Sequence, residues 1–114
     1  MEKGYCYPSD LRSKYFQYDG NPDHIPDWFF SKLDLMLGTD NKRPGDEFWV
    51  LDADENCIQV TTFRRDKAGR RHWAGTYQGC KVGGYVVETD WRSGMIDFVG
   101  QDEFNAKYAV LVKE

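Results

Sequence analysis

Only one stretch of this 114-residue chain has the apolar spacing of a substantial helix, and short β-patterned runs separated by turn residues fill most of the rest. Within residues 24–37, large apolar side chains recur at mostly three- and four-residue intervals, which would bury one stripe of a helix. Asp23 can cap this helix, Pro26 fits its first turn, and Gly38 supplies its end. We therefore predict one main helix over about residues 24–37.

The remaining apolar runs have the composition and spacing of strands. A hairpin is expected where β-patterned residues 48–51 and 57–63 flank the polar turn 53–56. Further strands are predicted at about 14–18, 72–77, 85–89, 95–99 and 109–112, with a short helical turn within 101–108. The expected fold is α+β: an antiparallel, hairpin-rich, twisted sheet of about six or seven strands with the main helix packed on one face.

The length predicts a single domain spanning residues 1–114. Residues 1–13 lack periodicity and form either a short first strand at 5–7 or a loosely packed arm. No apolar run approaches the roughly 20 residues that a membrane helix needs, and the first residues lack the apolar core of a secretory signal. Three widely spaced cysteines predict free thiols. We expect a cytoplasmic protein with no membrane contact.

Positive charge is concentrated in one segment of an acidic chain. The formal net charge is −4, yet residues 64–71 carry five basic residues against Asp66, so this segment has +4 and the remainder −8. The acidic total disfavours general nucleic-acid binding. The basic residues concerned are Arg64, Arg65, Lys67, Arg70 and Arg71.

The basic loop, residues 64–73, predicts one candidate site. Arginine guanidinium groups bind phosphates with bidentate geometry, and Trp73 or Tyr77 could stack on a nucleotide ring. The same loop could instead contact an acidic protein surface. The simpler alternative is a solvated hairpin loop whose charges only favour solubility.

Aromatic side chains predict a second candidate surface. Side chains alternate along a strand, so Phe48 and Trp49 must face opposite sides of the sheet. Trp91 lies in a predicted turn, where full burial is not expected. Because one helix can cover only one face, we expect Trp49 and Trp91 to contribute to an exposed contact surface. The alternative is a sheet covered on both faces, by the helix and by the N-terminal arm.

Catalytic and metal-binding patterns are weak. His24 and His72 have no neighbouring nucleophile in a known motif, although a Cys80–His72 pair is one alternative. The acidic turn 52–56 lacks the glycine and the closing glutamate of a calcium loop. These patterns favour a protein with no catalytic residues, metal or cofactor.

Two segments resemble small bacteriophage and prophage proteins of uncharacterised function. The first is Phe16-Gln17-Tyr18-Asp19-Gly20-Asn21, followed by Ile25 and Phe29. The second is Gly83-Gly84-Tyr85-Val86-Val87, then Gly94, then Phe104-Asn105-Ala106-Lys107-Tyr108. The resemblance implies the cytoplasm of an infected bacterial host, and it implies no particular chemistry.

Three functional hypotheses follow. The first is a non-enzymatic, phage-derived protein that modulates or inhibits a host process, such as a defence system, by occupying the surface of a host protein. The second is a binder of a nucleotide or another small anion through the basic loop. The third is a structural phage component that self-associates; the sequence leaves the oligomeric state open.

Overall fold

The computed structural model describes residues 2–7, 13–90 and 95–113, which form an α+β fold as predicted. These residues contain eight strands and two α-helices, with a short 3-10 turn at Pro22–His24. In chain order the elements are β1 (Lys3–Tyr7), β2 (Ser13–Gln17), α1 (Asp27–Leu37), β3 (Glu47–Ala53), β4 (Cys57–Arg65), β5 (Arg71–Lys81), β6 (Tyr85–Asp90), β7 (Met95–Val99), α2 (Gln101–Lys107) and β8 (Ala109–Lys113). The strand alternative for residues 5–7 is thus confirmed, and this strand begins two residues earlier than predicted.

The strands form two antiparallel sheets rather than the one sheet expected. The five-stranded sheet has the order β7-β6-β2-β1-β8, and the three-stranded sheet has the order β3-β4-β5. Between β5 and β6 the chain passes from the three-stranded sheet to the five-stranded sheet. The turn at this point pairs with Tyr18, which follows β2: the Tyr18 N–H donates to Gly84 O, and the Tyr18 carbonyl accepts from the Gly83 N–H. This long-range pairing joins β6 to β2 instead of to β5.

Helix α1 packs between the two sheets. Its Phe29 and Leu33 are buried in a core shared with Phe16 of the five-stranded sheet and Val60 of the three-stranded sheet. This burial accounts for the three- and four-residue apolar spacing read in the sequence. The helix ends at Gly38 as predicted, where a backbone φ of 79° favours glycine.

The predicted start of α1 is wrong by three residues. Residues 22–24 form a separate 3-10 turn, in which the side chain of Asn21 accepts a hydrogen bond from the Asp23 N–H at 3.0 Å. Asp23 is therefore the capped residue and not the cap. Pro26, in extended conformation, immediately precedes the first turn of α1.

Helix α2 covers the other face of the five-stranded sheet, so a single main helix on one face does not describe the fold. Phe104 of α2 is buried and stacks on Tyr85, with ring centroids 3.8 Å apart and planes 5° apart. Tyr15, Val87 and Val99 complete this second core. Both faces of the five-stranded sheet are consequently covered, whereas the face of the three-stranded sheet that points away from α1 belongs to neither core.

Two polar contacts fix α1 against the sheets. Lys32 Nζ lies 3.3 Å from Glu88 Oε2 of β6. On the three-stranded sheet, the indole Nε1–H of Trp49 donates to Asp34 Oδ1 at 2.7 Å. The helix therefore sets the position of one sheet relative to the other.

Candidate functional site

Three aromatic side chains form a row across the outer face of the three-stranded sheet, the face that points away from α1. Strand pairing places Phe48 opposite Phe63, and Phe63 opposite Trp73. The Phe48 and Phe63 rings stack with centroids 6.0 Å apart. Exposure rises across this aromatic row, from 2% for Phe48 to 65% for Trp73. The row thus has an anchored end and an accessible end.

Two arginines of the same face lie over the phenyl rings. The Arg65 guanidinium carbon is 5.3 Å from the Phe48 ring centroid, and that of Arg71 is 4.8 Å from the Phe63 centroid. Both distances suit cation–π attraction. Arg65 is also held by Asp40, which accepts from its Nε at 2.8 Å and from its Nη2 at 2.6 Å.

Hydrogen bonding with Arg65 lowers the pKa of Asp40 to about 2, so this pair is ionised at neutral pH. Arg65 additionally donates to Gly69 O at 2.6 Å. Its guanidinium therefore links the loop before β3, which contains Asp40, to the hairpin loop between β4 and β5, which contains Gly69. It also covers the Phe48 end of the aromatic row. Each of the three guanidinium nitrogens of Arg65 therefore donates to a partner within the protein.

The hairpin loop is shorter than the predicted basic loop. Strand β4 extends through Arg65 and β5 starts at Arg71, so the loop itself is 66–70. Asp66 organises it: one carboxylate oxygen accepts from the Ala68 and Arg70 N–H groups, each at 2.9 Å. The other oxygen lies 2.7 Å from His72 Nε2.

The contact with His72, followed by the backbone hydrogen bond from Arg70, lowers the pKa of Asp66 to about 2. The Arg70 Nε also lies 3.4 Å from Asp66 Oδ2. Asp66 is consequently an ionised carboxylate that offsets part of the positive charge of the loop.

The predicted arginine residues do not converge on one point. Arg64 and Arg65 are adjacent in β4, so their side chains leave opposite faces of the sheet, and Arg64 pairs with Glu47. Lys67 is exposed on the hairpin loop, and Arg71 is exposed on the outer face. Of the predicted residues with described side chains, Arg65, Arg71 and Trp73 share the outer face.

Trp49 does not contribute to an exposed aromatic surface as predicted, because it packs against α1. Phe48 and Trp49 do face opposite sides, but Trp49 is the one that faces α1, where its ring centroid lies 6.2 Å from that of Phe30. Tyr77 pairs with Thr61 through its backbone, and its side chain is outside the described part of the chain. Trp91 also falls outside the described residues.

Sequence reasoning missed Phe63 as a site residue. The local signal was the alternation in residues 57–63, which puts Phe63 on one face with Thr61. The sequence did not predict that Phe63 pairs with Trp73, because the β4–β5 register shifts between the pairs made by Thr61 and Phe63. Three residues of β5, including Gly75 with φ 102°, lie opposite Thr62 there.

Two neighbouring grooves lie at the far end of β5. Their volumes are about 620 and 340 Å³, and both are lined by Gly79–Val82. Burial, and secondarily the nearby Cys57, raises the pKa of the Cys80 thiol to about 11. This thiol is therefore protonated at neutral pH and is a poor nucleophile.

The Cys80–His72 pair is not formed. The two residues are eight positions apart in strand β5, which corresponds to roughly 25 Å at about 3.3 Å per residue. His72 instead contacts Asp66 at the hairpin loop. The acidic turn before β4 is likewise structural, because Asp54 Oδ1 accepts from the N–H groups of Asn56 and Cys57. These backbone hydrogen bonds lower the pKa of Asp54.

Fold and site together define an α+β protein with two antiparallel sheets and an exposed aromatic and arginine face. No protein-family model, curated protein or solved structure matches the chain. Within residues 2–7, 13–90 and 95–113, no helix has the length and apolar character required to cross a membrane. In the same residues, no cluster of three or more His, Cys, Asp or Glu side chains is arranged around a potential metal position.

Proposed function

We propose that this chain is a non-enzymatic binding protein that occupies the surface of another protein through the outer face of its three-stranded sheet. The observation that carries the proposal is Trp73, a large aromatic residue that is 65% exposed at the end of an otherwise packed aromatic row. Tryptophan and arginine are the residue types most enriched among the dominant contacts of protein interfaces. Trp73 and Arg71 supply both on one strand.

A preorganised surface favours binding. Phe48 is buried, Phe63 stacks on it, and Arg71 lies over Phe63, so the side chains beside Trp73 are already held by one another. Ordering such residues on association costs less conformational entropy than ordering free side chains. The resemblance to phage proteins supports a partner from a bacterial host in the cytoplasm, whose activity the bound protein would inhibit or modulate.

The nucleotide alternative has less support. A phosphate clamp needs arginines that converge on one anion, whereas Arg64 and Arg65 leave opposite faces and each is paired with a carboxylate. Thermal-shift measurements with nucleotides test this alternative directly. A ligand present at one hundred times its dissociation constant would stabilise the fold by about 2.7 kcal/mol.

The main test is affinity capture from bacterial lysate with matched variants. Trp73→Ser removes the accessible end of the aromatic row, and Leu35→Ser removes an exposed apolar side chain of α1 that is 77% exposed. We expect a stoichiometric partner with the wild type and with Leu35→Ser, and loss of that partner with Trp73→Ser. Circular dichroism should show the same fold for all three proteins, because both replaced side chains are exposed.

The proposal fails in either of two ways. Equal recovery with the wild type and Trp73→Ser would place the contact surface elsewhere. Absence of any stoichiometric partner, together with a nucleotide-dependent thermal shift, would replace it by the ligand-binding function.

A further inference from the structure

The outer edge of β5 is open for strand pairing at its start. Strand β5 is the last strand of the three-stranded sheet, and the five residues 71–75 are all exposed. The opposite edge differs, because Gly38 lies against β3 and its carbonyl accepts a hydrogen bond from the Trp49 N–H at 3.4 Å. An accessible row of backbone groups therefore exists beside Trp73.

The pairing pattern shows which backbone groups point outward. The Asp66 N–H donates to Arg70 O at 2.8 Å, so Asp66 and Arg70 form a hydrogen-bonded pair. Bonded and non-bonded pairs alternate along an antiparallel ladder. Arg71, opposite Arg65, and Trp73, opposite Phe63, therefore occupy non-bonded pairs. Their N–H and C=O groups point away from β4, toward the open edge.

The charge of this edge is opposite to that of the protein. Strand β5 contains two basic residues and no Asp or Glu, although the whole chain carries a net charge of −4. Arg71 and Lys81 lie at the two ends of β5. An incoming strand with carboxylates would meet favourable charges along this edge.

The same charges disfavour pairing between two copies of β5. An antiparallel arrangement centred on Thr76 would bring Arg71 of each copy opposite Lys81 of the other. Like charges directly opposite each other destabilise a strand pair. The irregularity at Gly75 also interrupts the ladder near the centre of such a dimer.

We propose that the β5 edge binds an extended acidic segment of another protein as an added strand, with the partner's backbone paired to Arg71 and Trp73. This proposal rests on the proposed binding function and names the chemistry of the partner. Strand addition gives affinity through main-chain hydrogen bonds, while side chains on alternate positions give selectivity. The Trp73 indole would pack on an apolar side chain of the partner, and the Arg71 guanidinium would pair with a carboxylate.

Synthetic peptides of about ten residues, long enough to form a typical strand, provide the probes. The first repeats Thr-Glu-Thr-Val, so that a Glu and a Val two positions apart share one face of the strand and can meet Arg71 and Trp73. The second repeats Thr-Lys-Thr-Val. The third is the acidic peptide with alternate backbone amides N-methylated to prevent pairing. Calorimetry measures their affinity for the full chain. Amide chemical shifts measured with ¹⁵N labelling locate the site. We expect the acidic peptide alone to bind, with the largest shifts at Arg71 and Trp73.

Charge-reversal variants supply the matched control. Arg71→Glu should weaken binding of the acidic peptide about tenfold, which corresponds to about 1.4 kcal/mol. Lys42→Glu makes the same charge change on an exposed residue of the loop before β3 and should leave the affinity unchanged. Added salt should weaken binding to the wild type, because exposed charges are screened.

Several results would overturn the inference: no binding of the acidic peptide, equal binding of the lysine or N-methylated peptide, or no effect of Arg71→Glu. Dimer formation through β5 in the absence of peptide would assign the edge to a second copy instead. Loss of a captured partner in Trp73→Ser, combined with no peptide binding, would retain the proposed function and reject only strand addition.

Discussion

The contact between Lys32 and Glu88 provides a sharp test of how α1 is held against the five-stranded sheet. The two charged groups are 3.3 Å apart, and the side chains of Lys32 and Glu88 are only 17% and 5% exposed. Replacing Lys32 by Met keeps most of the packing of the aliphatic stem but removes the ammonium group. The carboxylate of Glu88 then remains buried without this cation.

Breaking a buried ion pair by removing one partner typically costs 3–5 kcal/mol. Because the Lys32 side chain retains some solvent contact, we expect Lys32→Met to lower the free energy of unfolding by about 3 kcal/mol. That is a large part of the 5–15 kcal/mol typical of a domain. Urea unfolding followed by circular dichroism measures the change, with the denaturant slope showing whether unfolding remains two-state.

Two further variants isolate the cause. The double variant Lys32→Met with Glu88→Leu removes both charges and should recover stability to within about 1 kcal/mol of the wild type. Lys107→Met removes an exposed lysine of α2 that lies 3.4 Å from Glu103 and 3.6 Å from Asp97, and should cost at most about 1 kcal/mol. A loss below about 1 kcal/mol for Lys32→Met, with an unchanged slope, would show that Glu88 is not desolvated and would refute the reasoning.

Three further outcomes are expected. Phe104→Ala should lower the free energy of unfolding by about 3–5 kcal/mol in urea titrations, because the ring is buried against Tyr85; a change below about 1 kcal/mol would mean that α2 does not complete the second core. Stability should fall as the pH drops from about 4 through 2, since the pKa of Asp40 is lowered from 3.8 to about 2 in the folded state and the paired carboxylate becomes protonated there. The Asp40→Asn variant should show a smaller fall over the same range, and an identical pH profile would contradict this assignment. Gly38→Ala should lower the melting temperature more than Gly45→Ala. Both glycines have positive φ, but only at Gly38 would an added Cβ lie against a backbone oxygen, at 2.7 Å. Equal melting temperatures for the two variants would contradict this expectation.

Local patterns predicted the elements well. The spacing of apolar residues predicted α1 and its end at Gly38, and alternation predicted the β3–β4 hairpin, because these features depend on neighbours within a few residues. The start of the helix was missed because Asn21 and Pro22 form a competing 3-10 turn. The covering role of residues 101–107 was also missed, since a seven-residue helix with one buried ring has little periodicity to detect.

Three of the predicted residues, Arg65, Arg71 and Trp73, lie on the candidate surface, but their arrangement was not predicted from the sequence. Arg71 and Trp73 were both expected to bind a ligand or partner. The predicted phosphate clamp, however, required a loop over residues 64–73, whereas β4 extends to Arg65 and β5 begins at Arg71. Cross-strand pairing, not sequence proximity, joined Phe63 to Trp73. Trp49 was assigned to the exposed surface because the position of α1 beside β3 cannot be read from local spacing.

The sequence by itself determined the α+β class, the antiparallel hairpins and the concentration of positive charge, because propensity, alternation and turn chemistry are properties of neighbouring residues. Only the tertiary structure decided that the strands divide into two sheets and that α2 closes the second face of the larger one. It also decided which aromatic ring remains exposed. These outcomes depend on contacts between residues far apart in the chain, such as Tyr18 with the turn at Gly83 and Gly84, and such contacts leave no period in the sequence.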